Sequence, residues 1–144
     1  MKTVVVEKKL NTPLEELWPI VADFSRAPIP QMTLEVIKEG DAQNHGVGCE
    51  RLVREGRSVY HEKLIAVEPY RCYDYVMLSG APVKNYAGRV EAAADGDGTV
   101  IRWSSSFDPV IPGTGWLIVL INRRKYGRFI DGLAKDEAVK SGKK

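Results

Sequence analysis

Apolar residues change their spacing within the last long segment of the chain. Every side chain from Trp116 to Ile121 is apolar. After Asn122 the apolar residues recur three and four positions apart, which is typical of a helix with one buried face. We therefore predict one long helix over Thr114–Val139, covered on several sides in its first half and on one side in its second. The predicted contacts with the rest of the protein are Trp116, Val119, Leu120, Tyr126, Phe129 and Leu133.

The start of the chain combines a strand pattern with helix signals. Val4–Leu10 is β-branched and then alternates apolar and polar residues, which predicts a strand. Thr12 and Pro13 suit the N-cap and the first position of a helix. Apolar residues then repeat at helical spacing, but Pro19 lies among them and cannot donate a backbone hydrogen bond. We expect this helix to kink or to end near Asp23.

From Met32 onward, apolar residues alternate with polar ones, and turn residues interrupt the pattern at short intervals. This period of two predicts six further strands. They are Met32–Glu39, Cys49–Arg54, Ser58–Val67, Tyr70–Leu78, Lys84–Ala93 and Thr99–Phe107. Asp95-Gly96-Asp97-Gly98 is the clearest hairpin signal. Because spacers this short cannot make parallel crossovers, we expect an antiparallel meander in an α+β fold of about seven strands.

Composition narrows the class of protein. The 144 residues suit a single domain, which we assign to residues 1–140, with a disordered tail at 141–144. A net charge of +2 indicates neither a nucleic acid nor an anionic membrane as partner. The N-terminal residues lack the apolar run of a signal peptide, and no apolar run is long enough to span a membrane. These features predict a cytoplasmic protein, either a monomer or a weak dimer.

Several short motifs resemble the START and birch-pollen-allergen (SRPBCC) superfamily, in particular its polyketide cyclase/dehydrase-like branch of small bacterial proteins. The matching stretches include Leu10-Asn11-Thr12-Pro13, Gly46-Val47-Gly48 with Arg51, Glu62-Lys63-Leu64, Lys84-Asn85-Tyr86 and Phe107-Asp108-Pro109. The resemblance implies a helix-grip fold, in which a curved antiparallel sheet wraps around the long C-terminal helix and a short helical stretch lies between strands 1 and 2. It also implies a cavity for a small hydrophobic molecule or lipid. The chain departs from many relatives at Pro19 and at the Ile29-Pro30 turn.

Alternation alone leaves the inward face of the strand Ser58–Val67 open, because both sets of side chains contain apolar residues. The family resemblance places Tyr60 and Glu62 inward. A carboxylate in an apolar cavity could bind a polar group of a ligand or act as a general acid or base. The alternative is a salt bridge with an arginine at the pocket rim. Glu62 is therefore the candidate catalytic residue. Of its three possible roles, we favour ligand contact over a structural salt bridge and over catalysis.

Further side chains are candidates for the cavity wall, and for each the alternative is ordinary core packing. The predicted ligand-binding residues are Tyr60, Glu62, Tyr75, Met77, Tyr86, Gly88, Trp103, Ser105, Trp116 and Leu120. The ligand is expected to enter between the loop Ser79–Val83, the loop Phe107–Gly115 and the turn near Pro28–Pro30. With only two histidines, the sequence indicates no metal site and no cofactor. The basic residues Arg123, Arg124, Lys125 and Arg128 are interpreted as the water-facing side of the helix.

Three functions are compatible with these residues. The first is a carrier or sensor that binds a small hydrophobic ligand between sheet and helix. The second is an enzyme of the cyclase, dehydrase or lyase kind with Glu62 as general acid or base. The third is an adaptor that binds another protein through a sheet edge or the basic helix face.

Overall fold

The computed structural model describes residues 1–27 and 29–142, and the side chains of these residues up to Leu133. Within these described residues, seven strands and two α-helices follow one another. They are β1 (Lys2–Leu10), α1 (Leu14–Val21), β2 (Met32–Lys38), β3 (Glu50–Glu55), β4 (Ser58–Glu68), β5 (Cys72–Ser79), β6 (Val83–Asp95), β7 (Gly98–Pro109) and α2 (Gly115–Gly142). A short 3₁₀ turn, Ala42–Asn44, lies between β2 and β3.

All seven strands belong to one antiparallel sheet with the order β1-β7-β6-β5-β4-β3-β2. Each strand from β2 to β7 pairs with its neighbour in sequence, and β1 closes the other edge beside β7. The predicted hairpin at Asp95 is confirmed, because β6 ends there and β7 begins at Gly98. Gly96 has a φ of 60°, in the left-handed region that glycine adopts without a steric penalty. The predicted α+β fold with a curved sheet and a long C-terminal helix is confirmed.

The core lies between the sheet and the two helices. Helix α2 packs against β1 and β7, and α1 packs beside α2 against β6 and β7. The side chains that lose all contact with water come from every one of these layers: Val4, Leu17, Val90, Ile101, Phe107 and Ile130.

Helix α1 begins one residue later than the capping pattern predicts. Pro13 occupies the N-cap position and no side chain caps the helix. The carbonyl oxygen of Thr12 is instead engaged by the side chain of Thr99, which donates a hydrogen bond to it at 2.7 Å. Pro19 remains inside the helix, which ends at Val21, close to the early end predicted from this proline.

The first half of α2 is more exposed than its apolar sequence predicts. Trp116 is 66% exposed, and Leu120 is also exposed. Helical geometry explains the error: Leu120 precedes Phe129 by nine residues, which at about 100° per residue places it on the opposite face. Val119, Tyr126, Phe129 and Leu133 do pack against the core, whereas Trp116 and Leu120 do not.

The C-terminal end of α2 extends to Gly142. The tail predicted for residues 141–144 therefore begins within the helix, and residues 143 and 144 lie outside the described residues. Among the residues that the structure describes, no helix is long and apolar enough to cross a membrane.

Candidate functional site

A cavity of about 210 Å³ lies between the concave face of the sheet and α2. Its wall is mainly apolar and aromatic. Strands β2 to β7 contribute one side, and both helices contribute the other. An enclosed apolar space with a few polar groups is the usual form of a small-molecule site.

The charged groups that β3 and β4 contribute to the cavity wall are Arg51 and Glu62. The β3–β4 register places these two residues directly opposite each other. Arg51 donates from Nε to Glu62 Oε1 at 2.9 Å, and its Nη2 lies 2.8 Å from the same oxygen. Arg51 Nη1 also donates to the backbone oxygen of Phe24 at 2.8 Å, and the guanidinium stacks 3.7 Å from the centre of the Phe24 ring.

This ion pair is buried, with 9% of the Arg51 side chain and 10% of the Glu62 side chain exposed. Burial is the largest single influence on the pKa of Arg51 and lowers it, but the attraction and hydrogen bond of Glu62, together with Tyr73 and Tyr75, outweigh burial, so the net shift of this pKa is upward. The carboxylate of Glu62 therefore has a partner, and the salt bridge given as the structural alternative is present, although in the cavity wall and not at an exposed rim. Both bonds end on Oε1, so Arg51 leaves the second oxygen of Glu62 unused.

A second polar group, which we call the tyrosine network, consists of Tyr75, Tyr86, Trp103, Ser105 and Tyr126. Trp103 donates from its indole nitrogen to the Tyr75 hydroxyl at 3.1 Å, and the hydroxyls of Tyr75 and Tyr86 lie 3.3 Å apart. The Tyr86 hydroxyl bonds to that of Tyr126, which donates to Ser105 Oγ at 2.7 Å. This chain of hydrogen bonds links β5, β6, β7 and α2.

The tyrosines of this network stay neutral at physiological pH. Burial raises the pKa of Tyr75 and of Tyr86 well above the ordinary value of a phenol. Burial likewise raises the pKa of Tyr126, to about 12. The network therefore offers hydroxyl groups, and not phenolates, to whatever occupies the cavity.

Lys125 adds a cation to the cavity wall, although the sequence placed it among the water-facing basic residues. Its ammonium group donates to the Tyr60 hydroxyl at 2.9 Å and lies 3.1 Å from the Glu55 carboxylate. Burial lowers the pKa of Lys125, but its bonds to Tyr60 and Glu55 raise it by more, so the net shift is upward. The prediction for Lys125 was wrong because the cavity opens along its side of α2.

The structure brings six of the ten predicted site residues to the cavity wall. These six are Tyr60, Glu62, Tyr75, Met77, Tyr86 and Trp103. Gly88 does not reach the cavity, because the ring of Tyr75 lies across it where a side chain would be. Ser105 is buried behind Tyr126, to which it is hydrogen-bonded. Trp116 and Leu120 are exposed on α2 and do not line the cavity.

Sequence reasoning missed the helix residues that form the cavity wall in place of Trp116 and Leu120. The wall residues from α2 are Ile118, Ile121, Asn122, Lys125, Tyr126, Phe129 and Leu133. Counting back from Tyr126 and Phe129 in steps of three and four reaches Asn122 and Ile118. Because every residue from Trp116 to Ile121 is apolar, the sequence did not show which face of this part of the helix is buried.

Of the predicted entrance segments, the loop Ser79–Val83 contributes Ala81, Pro82 and Val83 to the wall. Among the described residues, none in the loop Phe107–Gly115 lines the cavity. Pro28 lies outside the described residues. Asp23 and Arg26, just before it, are part of the wall.

Comparison with known proteins assigns the chain to a protein family. A family model described as "Polyketide cyclase / dehydrase and lipid transport" matches residues 1–136. The chain belongs to this family. No functionally curated protein matches the sequence.

Solved structures share the fold of this polyketide cyclase/dehydrase family member at low identity. The protein XoxI from Bacillus cereus superposes with a TM-score of 0.79 at 16% identity, covering 94% of this chain and 95% of that one. A START superfamily protein from Mycobacterium smegmatis gives 0.78 at 12% identity, covering 93% and 95%. Norcoclaurine synthase from Thalictrum flavum, in complex with dopamine and hydroxybenzaldehyde, gives 0.75 at 20% identity, covering 93% and 84%.

Proposed function

We propose that this protein binds a small hydrophobic ligand in the cavity between sheet and α2, as a carrier or a sensor. The observation that supports this most is the cavity itself, about 210 Å³ in volume and walled mainly by apolar and aromatic side chains. Pockets for drug-sized ligands span roughly 300–1,000 Å³. The ligand is therefore smaller than these, of the size of one or two rings.

Two polar groups would fix its orientation. The Arg51–Glu62 pair lies on β3 and β4, and the tyrosine network lies on β5 to β7 and α2. A mostly apolar wall with two placed polar groups suits a ligand that has an apolar body and a polar group. The description of the family includes lipid transport, and one structural neighbour was solved with small aromatic ligands, which fits this proposal.

An enzyme of the cyclase, dehydrase or lyase kind is the second candidate. It is favoured by the position of Glu62, a carboxylate facing the cavity with one oxygen not bonded to Arg51. The ion pair with Arg51 gives this carboxylate a structural role as well, which supports ligand binding over proton transfer. The adaptor function, the cytoplasmic location and the monomeric or weakly dimeric state stay predictions from the sequence.

Native mass spectrometry of protein purified from its own host tests the binding proposal. Val53 is buried in the cavity wall, so Val53→Phe would fill the space. Val59, on the neighbouring strand, is exposed, and Val59→Phe is the matched control. We expect a bound small molecule in the wild type and in Val59→Phe, and its loss in Val53→Phe. The same mass pattern in all three proteins would overturn the proposal, and a bound molecule that differs chemically between wild type and Glu62→Gln would favour the enzyme.

A further inference from the structure

An exposed apolar surface covers the end of the molecule where the loop after β7 leads into α2. Large apolar side chains are exposed at six positions within residues 110–121. We call these six side chains the apolar cap: Val110, Ile111, Trp116, Leu117, Leu120 and Ile121. Single exposed apolar residues are ordinary, whereas a contiguous group of them is characteristic of an interaction site.

The members of the apolar cap are neighbours on the surface. The four that belong to α2 are spaced three and four residues apart, so they lie beside one another on the helix. The loop folds against the start of α2, because Thr114 donates from its backbone nitrogen and its hydroxyl to the carbonyl oxygen of Ile111, at 3.3 and 2.7 Å. The cap also borders the cavity, since Ile121 belongs to both.

Basic side chains adjoin the apolar cap. Arg123 and Arg124 are exposed in the following turn of α2, and they come seven residues after Trp116 and Leu117, which places them on nearly the same stripes of the helix. In the part of the chain whose side chains are described, neither arginine forms an ion pair. Lys2 adds a third cation, since its side chain lies against the first residue of α2.

Negative charge is missing from the segment that carries the cap. The sequence contains no acidic residue between Asp108 and Asp131. Asp108 itself is paired, because it lies 3.3 Å from the amino group of Met1 and accepts a hydrogen bond from Asn85 at 3.0 Å. The net charge of +2 gives no sign of this local excess, because charges elsewhere in the chain offset it.

We infer that the apolar cap and its arginines dock the protein on the surface of a bilayer that contains anionic phospholipids. Arg124 lies one turn beyond Leu120, roughly 6 Å along the helix axis, which matches the roughly 5–7 Å thickness of a headgroup layer. With the cap at the edge of the hydrocarbon, the guanidinium groups reach the lipid phosphates. A tryptophan at this depth, as Trp116 would be, is typical of segments that bind the membrane interface.

A second copy of this chain fits the same surface less well than a bilayer does. A two-fold contact through the cap would bring the arginines of one copy toward those of the other, with no acidic residue in the segment to compensate. A bilayer supplies an apolar interior and negative charge together. The inference goes beyond the proposed function, because it concerns an outer surface and assumes nothing about what the cavity holds.

Trp116 provides a direct readout of docking, because the other two tryptophans, Trp18 and Trp103, are buried. Vesicles of phosphatidylcholine mixed with phosphatidylglycerol should sediment with the wild-type protein and shift its tryptophan emission to shorter wavelength. Vesicles of phosphatidylcholine alone should bind it more weakly, by roughly tenfold or more, since each basic residue near an anionic surface strengthens binding.

Trp116→Ser/Leu120→Ser removes much of the cap without touching the cavity wall, since neither residue lines the cavity. Co-sedimentation of this variant with the mixed vesicles should be lost. Val59→Ser/Ile65→Ser is the matched control, because it removes two exposed apolar side chains from β4. The control should bind as the wild type does.

Arg123→Gln/Arg124→Gln tests the basic part of the surface and should weaken binding to the mixed vesicles by roughly tenfold or more. Arg71→Gln/Arg102→Gln removes the same amount of charge from exposed arginines outside α2 and should keep the wild-type binding. Equal losses in these two variants would mean that only net charge matters, and would contradict the inference.

Absence of binding to the mixed vesicles, or equal binding to both kinds of vesicle, would overturn the inference. Binding without a change in tryptophan emission would also overturn it, because the cap would then stay outside the bilayer, as for contact with an acidic protein. A dimer in sedimentation equilibrium that Trp116→Ser/Leu120→Ser dissociates, with no vesicle binding, would assign the cap to a second copy. Circular dichroism checks that the variants fold, and Trp116→Ser alone carries the same prediction if the double variant does not.

Discussion

The Arg51–Glu62 pair shows how one contact joins fold stability to the cavity. Both side chains are about nine-tenths buried, and each satisfies the charge of the other. Removing one partner from such a pair leaves a charge without compensation in a poorly solvated place. The pair is thus part of the cavity wall and a requirement for its stability at the same time.

We predict that Glu62→Leu lowers the free energy of unfolding by roughly 3–5 kcal/mol, because Arg51 stays buried without its counter-charge. The double variant Arg51→Met/Glu62→Leu should recover most of this loss, since it removes both charges. Urea denaturation of the two single variants and the double variant measures the coupling. Additive losses in this cycle would show that the two side chains do not depend on each other.

Alkaline pH should destabilise the protein through its buried tyrosines. Burial raises the pKa of Tyr73 and of Tyr126 to about 12, and the pKa values of Tyr75 and Tyr86 are also raised. A phenol whose pKa is higher in the folded state favours folding fully below the unfolded pKa of about 10, and this contribution is lost as the pH rises through the folded value.

The expected result is a loss of stability between about pH 10 and pH 12. Thermal unfolding measured by circular dichroism across this range, together with phenolate absorbance, tests it. The four buried tyrosines should ionise together with unfolding. Ionisation of all six tyrosines in a folded protein near pH 10 would contradict the buried network.

At the scale of elements, α2 combines a buried face with an exposed apolar run. Ile130 is completely buried, whereas Leu120 is 39% exposed. The two residues are ten positions apart on one helix and are both aliphatic. Their different surroundings give a direct comparison of the two faces.

We predict that Ile130→Asp lowers the free energy of unfolding by several kcal/mol, because it buries an unpaired charge. Leu120→Asp should change it by only about 0.5 kcal/mol, as is usual for surface substitutions. Chemical denaturation of both variants provides the measurement. A severe loss in Leu120→Asp would mean that this face of α2 is covered.

The strands and helices were predictable because their periods appear directly in the sequence, as at the Asp95-Gly96-Asp97-Gly98 hairpin. The Arg51–Glu62 pair could also have been predicted, because a hairpin that places Glu55 opposite Ser58 places Arg51 opposite Glu62. The buried face of α2 before Asn122 could not be predicted, because six consecutive apolar residues are compatible with any face of the helix being buried. The sequence could not reveal the tyrosine network either, since its hydrogen bonds join side chains 11 to 40 residues apart on four different elements.

At the scale of the whole molecule, the sheet and α2 enclose a space that the core does not fill. Aromatic rings line this space in two groups of ring contacts: Tyr75 with Tyr86, and Trp103, Tyr126 and Phe129 with one another. A well-packed core leaves few voids larger than a water molecule. A cavity of about 210 Å³, lined in addition by two buried polar groups, is therefore consistent with the proposed ligand site.

The most direct test of ligand binding in this cavity is calorimetric titration of tetralol, a small bicyclic alcohol, into wild type, Val53→Phe and Val59→Phe. Circular dichroism shows whether each variant is folded. We predict saturable binding at one site per chain in the wild type and in Val59→Phe, and none in Val53→Phe, because the phenyl ring occupies the cavity. Equal binding by all three proteins would place the ligand elsewhere, and absence of binding to the wild type would contradict the account.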